Sequence, residues 1–356
     1  MSGSIDVRKL PGAKEVTLVR DAGYFPVLAL LGEREVVAVL RGGAGHLGLA
    51  GRLELVRSHD GGLTWLPPAI IADSEWDDRN PAVGVALDGT LIVAYHRQGS
   101  YDEKGEFEPR LARAETMVTR SCDGGHSWER PYMLDFVALR GRSPYGRMLT
   151  FPEGTLGMCV YGEVMGADHP SEGPKAASYL LRSKDSGQTW GDPSLVAEGF
   201  NETAFLRLPD GMILAGLRTD GRTARIAVSC SSDDGRTWST PVLATEPSEH
   251  PADLALLSNG WVLLTYGYRR DPPGAQGMVS RDRGKTWDRR RRLIYNDDRP
   301  GGDCGYPSTV RFPDGMLLTA YYSAGDEYMD RDFYRVDGAF AAGVLYSEAE
   351  LIAALG

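Results

Sequence analysis

SHDGGLTW (58–65), SCDGGHSW (121–128), SKDSGQTW (183–190), SSDDGRTW (231–238) and SRDRGKTW (280–287) are five copies of one pattern, S-x-D-x-G-x-(T/S)-W, spaced by about 50 to 60 residues. Each follows a stretch rich in β-forming residues: LELVR, AETMVTR, SYLLR, RIAVSC and QGMVS. Each box therefore reads as the turn of a hairpin. Its aspartate can accept hydrogen bonds from turn amides, its glycine supplies a positive φ, and its tryptophan packs sideways on a neighbour. On this reading Asp60, Asp123, Asp185, Asp233 and Asp282 are turn acids rather than catalytic ones, and His59 and His126 occupy variable, solvated box positions.

A second repeat alternates with the boxes. Apolar stretches broken by a tight turn occur at VLALLGEREVVAVL, AVGVALDGTLIVAY, MLTFPEGTLGMCVY, AFLRLPDGMILAGL, LALLSNGWVLLTYG and TVRFPDGMLLTAYY. Pairs such as Asp88-Gly89, Asp210-Gly211, Asn259-Gly260 and Asp314-Gly315 are hairpin signals. Two hairpins per repeat make a four-stranded blade, and radial repetition of blades makes a propeller. The prediction is thus an all-β chain, residues 1–356 forming a single six-bladed β-propeller of four-stranded antiparallel blades. Five boxes suffice because the stretch at 15–20 is expected to complete the last blade beside 339–346. The tail SEAELIAALG opens with a capping box, Ser347 and Glu350, and predicts a short helix over about 347–355.

Composition fits this frame. The chain has 356 residues, 42% of them hydrophobic, with 44 glycines and 21 prolines that imply many turns. Its formal charge of −10 argues against a nucleic-acid partner or an anionic membrane surface. The first residues, MSGSIDVRKLPGAKEV, lack the apolar core of a signal peptide, and no run is apolar enough for a membrane span. The expectation is a cytoplasmic protein, or a secreted one if a leader has been removed. Cys122, Cys159, Cys230 and Cys304 are far apart with no CxxC, which argues against zinc and disulfides alike.

Strand alternation sorts residues onto two faces. If the first strand of a blade runs from face A to face B, the Asp-Gly hairpin and the box both lie on B, which is structural. Face A then collects Tyr24, Arg41 and His46; Asp78, Arg79, His96 and Arg97; Arg142, Tyr145, Arg147, Tyr161 and Glu163; Glu202 and Arg218; His250, Asp253, Tyr268, Arg269 and Arg270; and Asp303, Tyr306 and Tyr322. An acidic protein with so many arginines at one rim is arranged to hold an anion, most simply a carboxylate gripped bidentately. The links near 97–116 and 162–178 fall on the same face and are expected to wall a substrate cleft.

The boxes, the LPDG-type hairpins and the segments NPAV (80–83), NETA (201–204) and CGYPS (304–308) resemble the sialidase, or Asp-box (BNR repeat), superfamily over nearly the whole chain. The resemblance implies a sialidase-like glycosidase in which a tyrosine paired with a glutamate is the nucleophile, an exception to the two-carboxylate rule. Arginines bind the substrate carboxylate there, and an aspartate is the acid/base. Tyr306 resembles the nucleophile and Glu202 its base. Arg218 resembles one triad arginine, Arg269 or Arg270 a second, and Arg41 the arginine that closes the first hairpin. Arg79, Tyr145 and His250 complete the expected substrate contacts, with His46 or a rim acid (Asp78, Asp253 or Asp303) as proton donor.

Two departures set this chain apart. Where the family carries an arginine before the Ile-Pro of the first strand, the chain reads GYFPVLAL, with Tyr24 and Phe25. Where the family's acid/base aspartate lies, it reads RGGAGHLGLAGRLEL, and His46 is the proton-transfer group in that loop. The expected activity is hydrolytic release of an acidic or sialic-acid-like sugar from an anionic glycan. A polysaccharide lyase acting on uronic acids, with His46, His96 or His250 and Tyr306 moving protons, and a non-catalytic carbohydrate-binding propeller are the alternatives. No cofactor and no metal are assigned; NDDRPGGD at 296–303 lacks EF-hand spacing and reads as a solvated loop.

Overall fold

The computed structural model describes residues 3–164, 175–221, 223–297, 302–324 and 338–356. Parts of two stretches singled out above, 162–178 and 296–303, lie outside the described residues. The chain folds as successive antiparallel meanders whose first strands are Tyr24–Leu30, Asp77–Val85, Leu139–Thr150, Phe200–Arg207, Glu249–Leu256 and Cys304–Arg311. Each turns back across one of the apolar hairpins: Leu30 pairs with Val36, Val85 with Leu91, and Leu256 with Val262. The first strands lie against one another in a closed cycle, the sixth touching the first. The arrangement is all-β and propeller-like.

The hydrogen-bonded sheets number five among the described residues, not six separate blades. The second and third meanders share one eight-stranded sheet because Gly146 pairs with Ala82 and Arg147 with Val83 in parallel. Neighbouring first strands run the same way toward the axis, so a bulge in the longest of them, at Tyr145–Leu149, is enough to bring two ladders into register.

Apolar layers between neighbouring meanders form the core, which explains why whole strands are buried. Along Val36–Gly42, Val36, Ala38 and Leu40 pack with Phe312 and Leu318 of the sixth unit, whereas Val37 and Val39 pack with Leu91 and Val93 of the second. The period of two thus serves two cores.

The boxes behave as turn chemistry. Asp60 Oδ1 accepts from the N–H groups of Leu63 (3.0 Å) and Thr64 (2.9 Å) and from the Ser58 hydroxyl (2.8 Å), while Oδ2 accepts from the Thr64 hydroxyl (2.6 Å). Asp123, Asp185, Asp233 and Asp282 repeat the arrangement. Each box also leans on the unit before it. A Cβ on Gly62 would lie 2.9 Å from Leu318 of the sixth unit, and one on Gly235 would lie 2.5 Å from Leu180 of the third. Both glycines have positive φ, so only glycine meets the steric and the backbone demand together.

The sixth unit has no box, and the C-terminal helix Glu348–Leu355 takes its place. Leu351 and Leu355 are fully buried with Leu257, Leu263 and Val279 of the fifth unit. Glu348 accepts from Ser258 N–H (2.6 Å), and Arg281 donates to Leu355 O (2.6 Å). Ser347 is the helix N-cap, accepting from Glu350 N–H at 3.4 Å. The N-terminal strand Lys14–Arg20 pairs with Phe340–Ser347 and completes the last sheet, while Ile5–Asp6 adds to the fifth. Among the described residues no helix is long and apolar enough to cross a membrane.

Candidate functional site

Every first strand carries a register break, close to its start at Tyr24/Val27, Arg79/Ala82, Phe200/Thr203, Glu249/Ala252 and Gly305/Ser308, while the longer third strand breaks twice, at Arg140/Ser143 and Tyr145/Leu149. A bulge inserts an unpaired residue and re-aims its side chain. In three units the bulge contains a residue with positive φ followed by proline: Phe25 (φ 56), Asn80 (φ 48) and Tyr306 (φ 47). Backbone of this kind is disfavoured for a bulky side chain and again by the following proline, at about 1–3 kcal/mol per residue. Strain repeated at equivalent positions around one ring marks the place where the fold gives up regularity for side-chain placement.

Tyr306 and Glu202 meet there, 104 residues apart in sequence. The phenol donates to Glu202 Oε1 at 2.6 Å. Arg218, from the second strand of the Glu202 unit, donates through Nη1 to Glu202 Oε2 (2.6 Å) and lies 3.4 Å from the Tyr306 oxygen. Burial, and then the Glu202 charge, push the Tyr306 phenol well above its ordinary range, although Arg218 and Arg269 pull the other way. The phenol is therefore protonated at rest, with a carboxylate already aligned on its proton.

The Arg269 guanidinium sits 5.7 Å from the centre of the Tyr306 ring. Among the described residues its buried Nε and Nη2 have no hydrogen-bond partner, nor has Arg218 Nε. Buried guanidinium N–H groups left unpaired are costly, so the pair is arranged to receive an acceptor. His250 completes this wall. Burial, then Arg218 and Arg269, push its imidazole down to about 2, so it is neutral, and its buried Nδ1 has no partner among the described residues.

His46 and Asp303 form a second cluster. His46 Nδ1 lies 2.9 Å from Asp303 Oδ2, and Tyr322 donates to Asp303 Oδ1 at 2.5 Å. Burial works to raise the Asp303 carboxyl, but His46, Arg269 and Tyr322 outweigh it and hold it below the usual carboxylate range. Asp303 therefore stays ionised and orients His46. The imidazole stands edge-on to Phe25 (5.4 Å), which packs on Tyr306 (4.8 Å), so the two clusters are contiguous.

Other expected contacts sit elsewhere. Arg41 is completely buried: Nε and Nη2 donate to Asp77 (2.9 and 2.7 Å) and Nη1 to Ala44 O (3.1 Å), so it braces the first loop and has no place in an anion grip. Tyr145 donates to Ala252 O (2.8 Å) and stands 6.2 Å from the Tyr306 ring, which makes it a buttress rather than a substrate contact. Arg79 lies over Phe25 at 5.6 Å. Asp253 is held by Arg147 (2.9 Å) and Thr309 N–H (2.7 Å), and Asp78 by Ser74; burial raises both carboxyls, Asp78 to about 6. Sequence reading missed the Arg41–Asp77–Tyr101 network, in which Tyr101 donates to Asp77 at 2.6 Å. Its members are isolated in sequence, and no local pattern announces it. Among the described residues no three His, Cys, Asp or Glu side chains converge on a common point as metal ligands would.

The fold is an all-β, propeller-like ring with this cluster at its axis. The sequence profile of the BNR repeat-like domain matches residues 34–318, and the chain belongs to that family. No curated protein matches the sequence. Among solved structures, a protein of unknown function from Dyadobacter fermentans is similar with a TM-score of 0.75 at 24% identity, covering 94% of this chain and 99% of its own. The Hadza microbial sialidase Hz136 is similar with a TM-score of 0.65 at 20% identity, covering 92% of this chain and 66% of its own. Trypanosoma rangeli sialidase in complex with sialic acid is similar with a TM-score of 0.68 at 16% identity; the match covers 99% of this chain but only 61% of that sialidase. At these identities the likeness is one of fold.

Proposed function

We propose that the chain is a glycoside hydrolase built on a six-bladed sialidase-like ring, the eight-stranded sheet counting as two blades, and that it releases an acidic sugar from a glycan. The observation that carries the reading is the Tyr306–Glu202 hydrogen bond of 2.6 Å at the strained axial bulge. A carboxylate nucleophile facing an anionic sugar would be repelled; a neutral phenol is not. As the Tyr306 oxygen bonds to the anomeric carbon, its proton passes to Glu202 and the glycosidic C–O bond breaks. His46, oriented by Asp303, gives the departing oxygen a proton. Water then attacks the glycosyl–tyrosine bond, its proton going to His46, while Glu202 returns the first proton to Tyr306. Arg218 and Arg269 hold the sugar's anionic group through their unpaired N–H groups, and neutral His250 contributes a hydrogen bond.

Phe25 leaves this grip with two arginines and an aromatic wall, which favours an acidic sugar whose charged group is held from one side. A panel of 4-nitrophenyl glycosides of sialic, uronic and deoxy sugars tests the reading. The expected result is 4-nitrophenol release with free sugar as co-product. An unsaturated, ultraviolet-absorbing product would select the lyase, and saturable glycan binding with no turnover of any substrate would select a carbohydrate-binding propeller.

A further inference from the structure

We propose that the buried Arg41–Asp77–Tyr101 network is the positioning device for His46, holding the loop that carries the imidazole where it can give a proton to the departing oxygen. The inference rests on the glycoside hydrolase reading and deepens it, since it gives these side chains a part in the chemistry without contact to the sugar.

The loop has to be held from outside. Residues 43–51, GAGHLGLAG, belong to no strand and include four glycines, the residue that loses most freedom on ordering. The network grips this segment on both sides of His46. Arg41 Nη1 donates to Ala44 O (3.1 Å) and Nη2 to Gly48 O (3.3 Å), while the Gly48 N–H donates to the Tyr101 oxygen (2.9 Å). Asp77 ties the two holders together. Its Oδ1 accepts from Arg41 Nε and Nη2 (2.9 and 2.7 Å), and its Oδ2 accepts from the Tyr101 hydroxyl (2.6 Å). A Cβ on Gly51 would lie 2.0 Å from Asp77 Oδ1, so the end of the loop rests directly on the carboxylate. Arg41 and Asp77 are both completely buried. A charge pair sealed off in this way cannot touch a sugar, and its hydrogen bonds are directed to the loop backbone instead.

Each holder is itself fixed. Tyr101 packs on Phe107 (5.8 Å) in a segment closed by hydrogen bonds from Asp102 N–H to Glu106 O (2.9 Å) and from Glu108 N–H to Ser100 O (2.8 Å). Burial, and then the Asp77 charge, push the Tyr101 phenol above its ordinary range, so it keeps its proton and donates it to Asp77 while accepting from Gly48. Arg41 reaches His46 by a second path. Its guanidinium lies 6.0 Å from the centre of the Tyr24 ring, which stands edge-on to the imidazole at 6.1 Å.

The test compares two glycosides of the best acidic sugar of the panel: the 4-nitrophenyl glycoside, whose leaving group needs little protonation, and the 4-methoxyphenyl glycoside, whose leaving group needs much. Tyr101→Phe keeps the ring against Phe107 and removes the hydroxyl. Its kcat/KM is expected to fall about ten-fold on the 4-methoxyphenyl glycoside and less than about two-fold on the 4-nitrophenyl one, because only proton-assisted cleavage depends on His46. Hydrogen exchange followed by mass spectrometry should show residues 43–51 exchanging about ten-fold faster in the variant. Should Tyr101→Phe fail to fold, Arg41→Lys, which keeps a cation beside Asp77 but loses the fork that reaches both carbonyls, is read by the same two measurements. An equal fall on both glycosides, no fall on either, or unchanged exchange of 43–51 would overturn the proposal. If no glycoside is turned over, the hydrolase reading fails while the exchange still decides whether the network holds the loop.

Discussion

Tyr306 shows how much structure is needed to make one phenol useful. Its left-handed backbone, the proline after it and the bulge around it turn the ring toward Glu202 rather than along the ladder, and Phe25 fixes the ring from the side. Glu202 is held by Arg218, so carboxylate and phenol are aligned before any ligand arrives. Asp303 acts one step removed, as a positioning residue for His46. Asp303→Asn is expected to lower kcat by about 10- to 100-fold with little change in KM, because it disturbs proton transfer and not the sugar contacts. A rise in KM at unchanged kcat would place Asp303 among substrate contacts instead.

At the scale of the element, the Asp box is a local device, and its energetics are pH-dependent. Burial opposes ionisation of Asp60, but hydrogen bonds from Thr64, Ser58 and Leu63 outweigh it and hold the carboxyl down to about 2. A carboxylate depressed in the folded state contributes stability that is fully present above the ordinary pKa of about 3.9 and lost as pH falls through the folded value. Asp60→Asn should therefore be less stable than the parent near pH 6, with the gap narrowing between pH 4 and 2, as followed by thermal melts. A gap that stays constant with pH would mean that shape, not charge, governs the box.

These boxes were legible in the sequence because all their partners lie within eight residues, and the apolar hairpins for the same reason. The merging of two sheets through Gly146 and Ala82 was not, since it depends on how close two first strands come at the axis. The site divides along the same line. Tyr306, Glu202 and Arg218 stood out through their segments and the resemblance. The His46–Asp303 contact, spanning 257 residues, and the withdrawal of Arg41 into a buried pair with Asp77 depend on three-dimensional placement alone.

For the whole molecule, ring closure is the governing constraint. Each unit is clamped by the box of the next, and the fifth would be left uncovered because the sixth has none. The capped helix Glu348–Leu355 covers it, burying Leu351 among fifth-unit side chains. Leu351→Ala is expected to cost about 2–5 kcal/mol of unfolding free energy in denaturant titration, as a fully buried leucine does elsewhere. A loss below about 0.5 kcal/mol, within the range of surface substitutions, would show that the helix is ornamental to the ring.

Closure also lets an acidic chain of net charge −10 bring Arg218, Arg269, Tyr306 and Glu202 to one axis. On the proposed reading this axis performs nucleophilic catalysis through Tyr306. Its most direct test is kcat of Tyr306→Phe against the parent on the best glycoside of the panel, with circular dichroism confirming the fold. The predicted result is a fall of about a thousand-fold or more. A variant that retained parental kcat within about three-fold would show that Tyr306 is not the nucleophile.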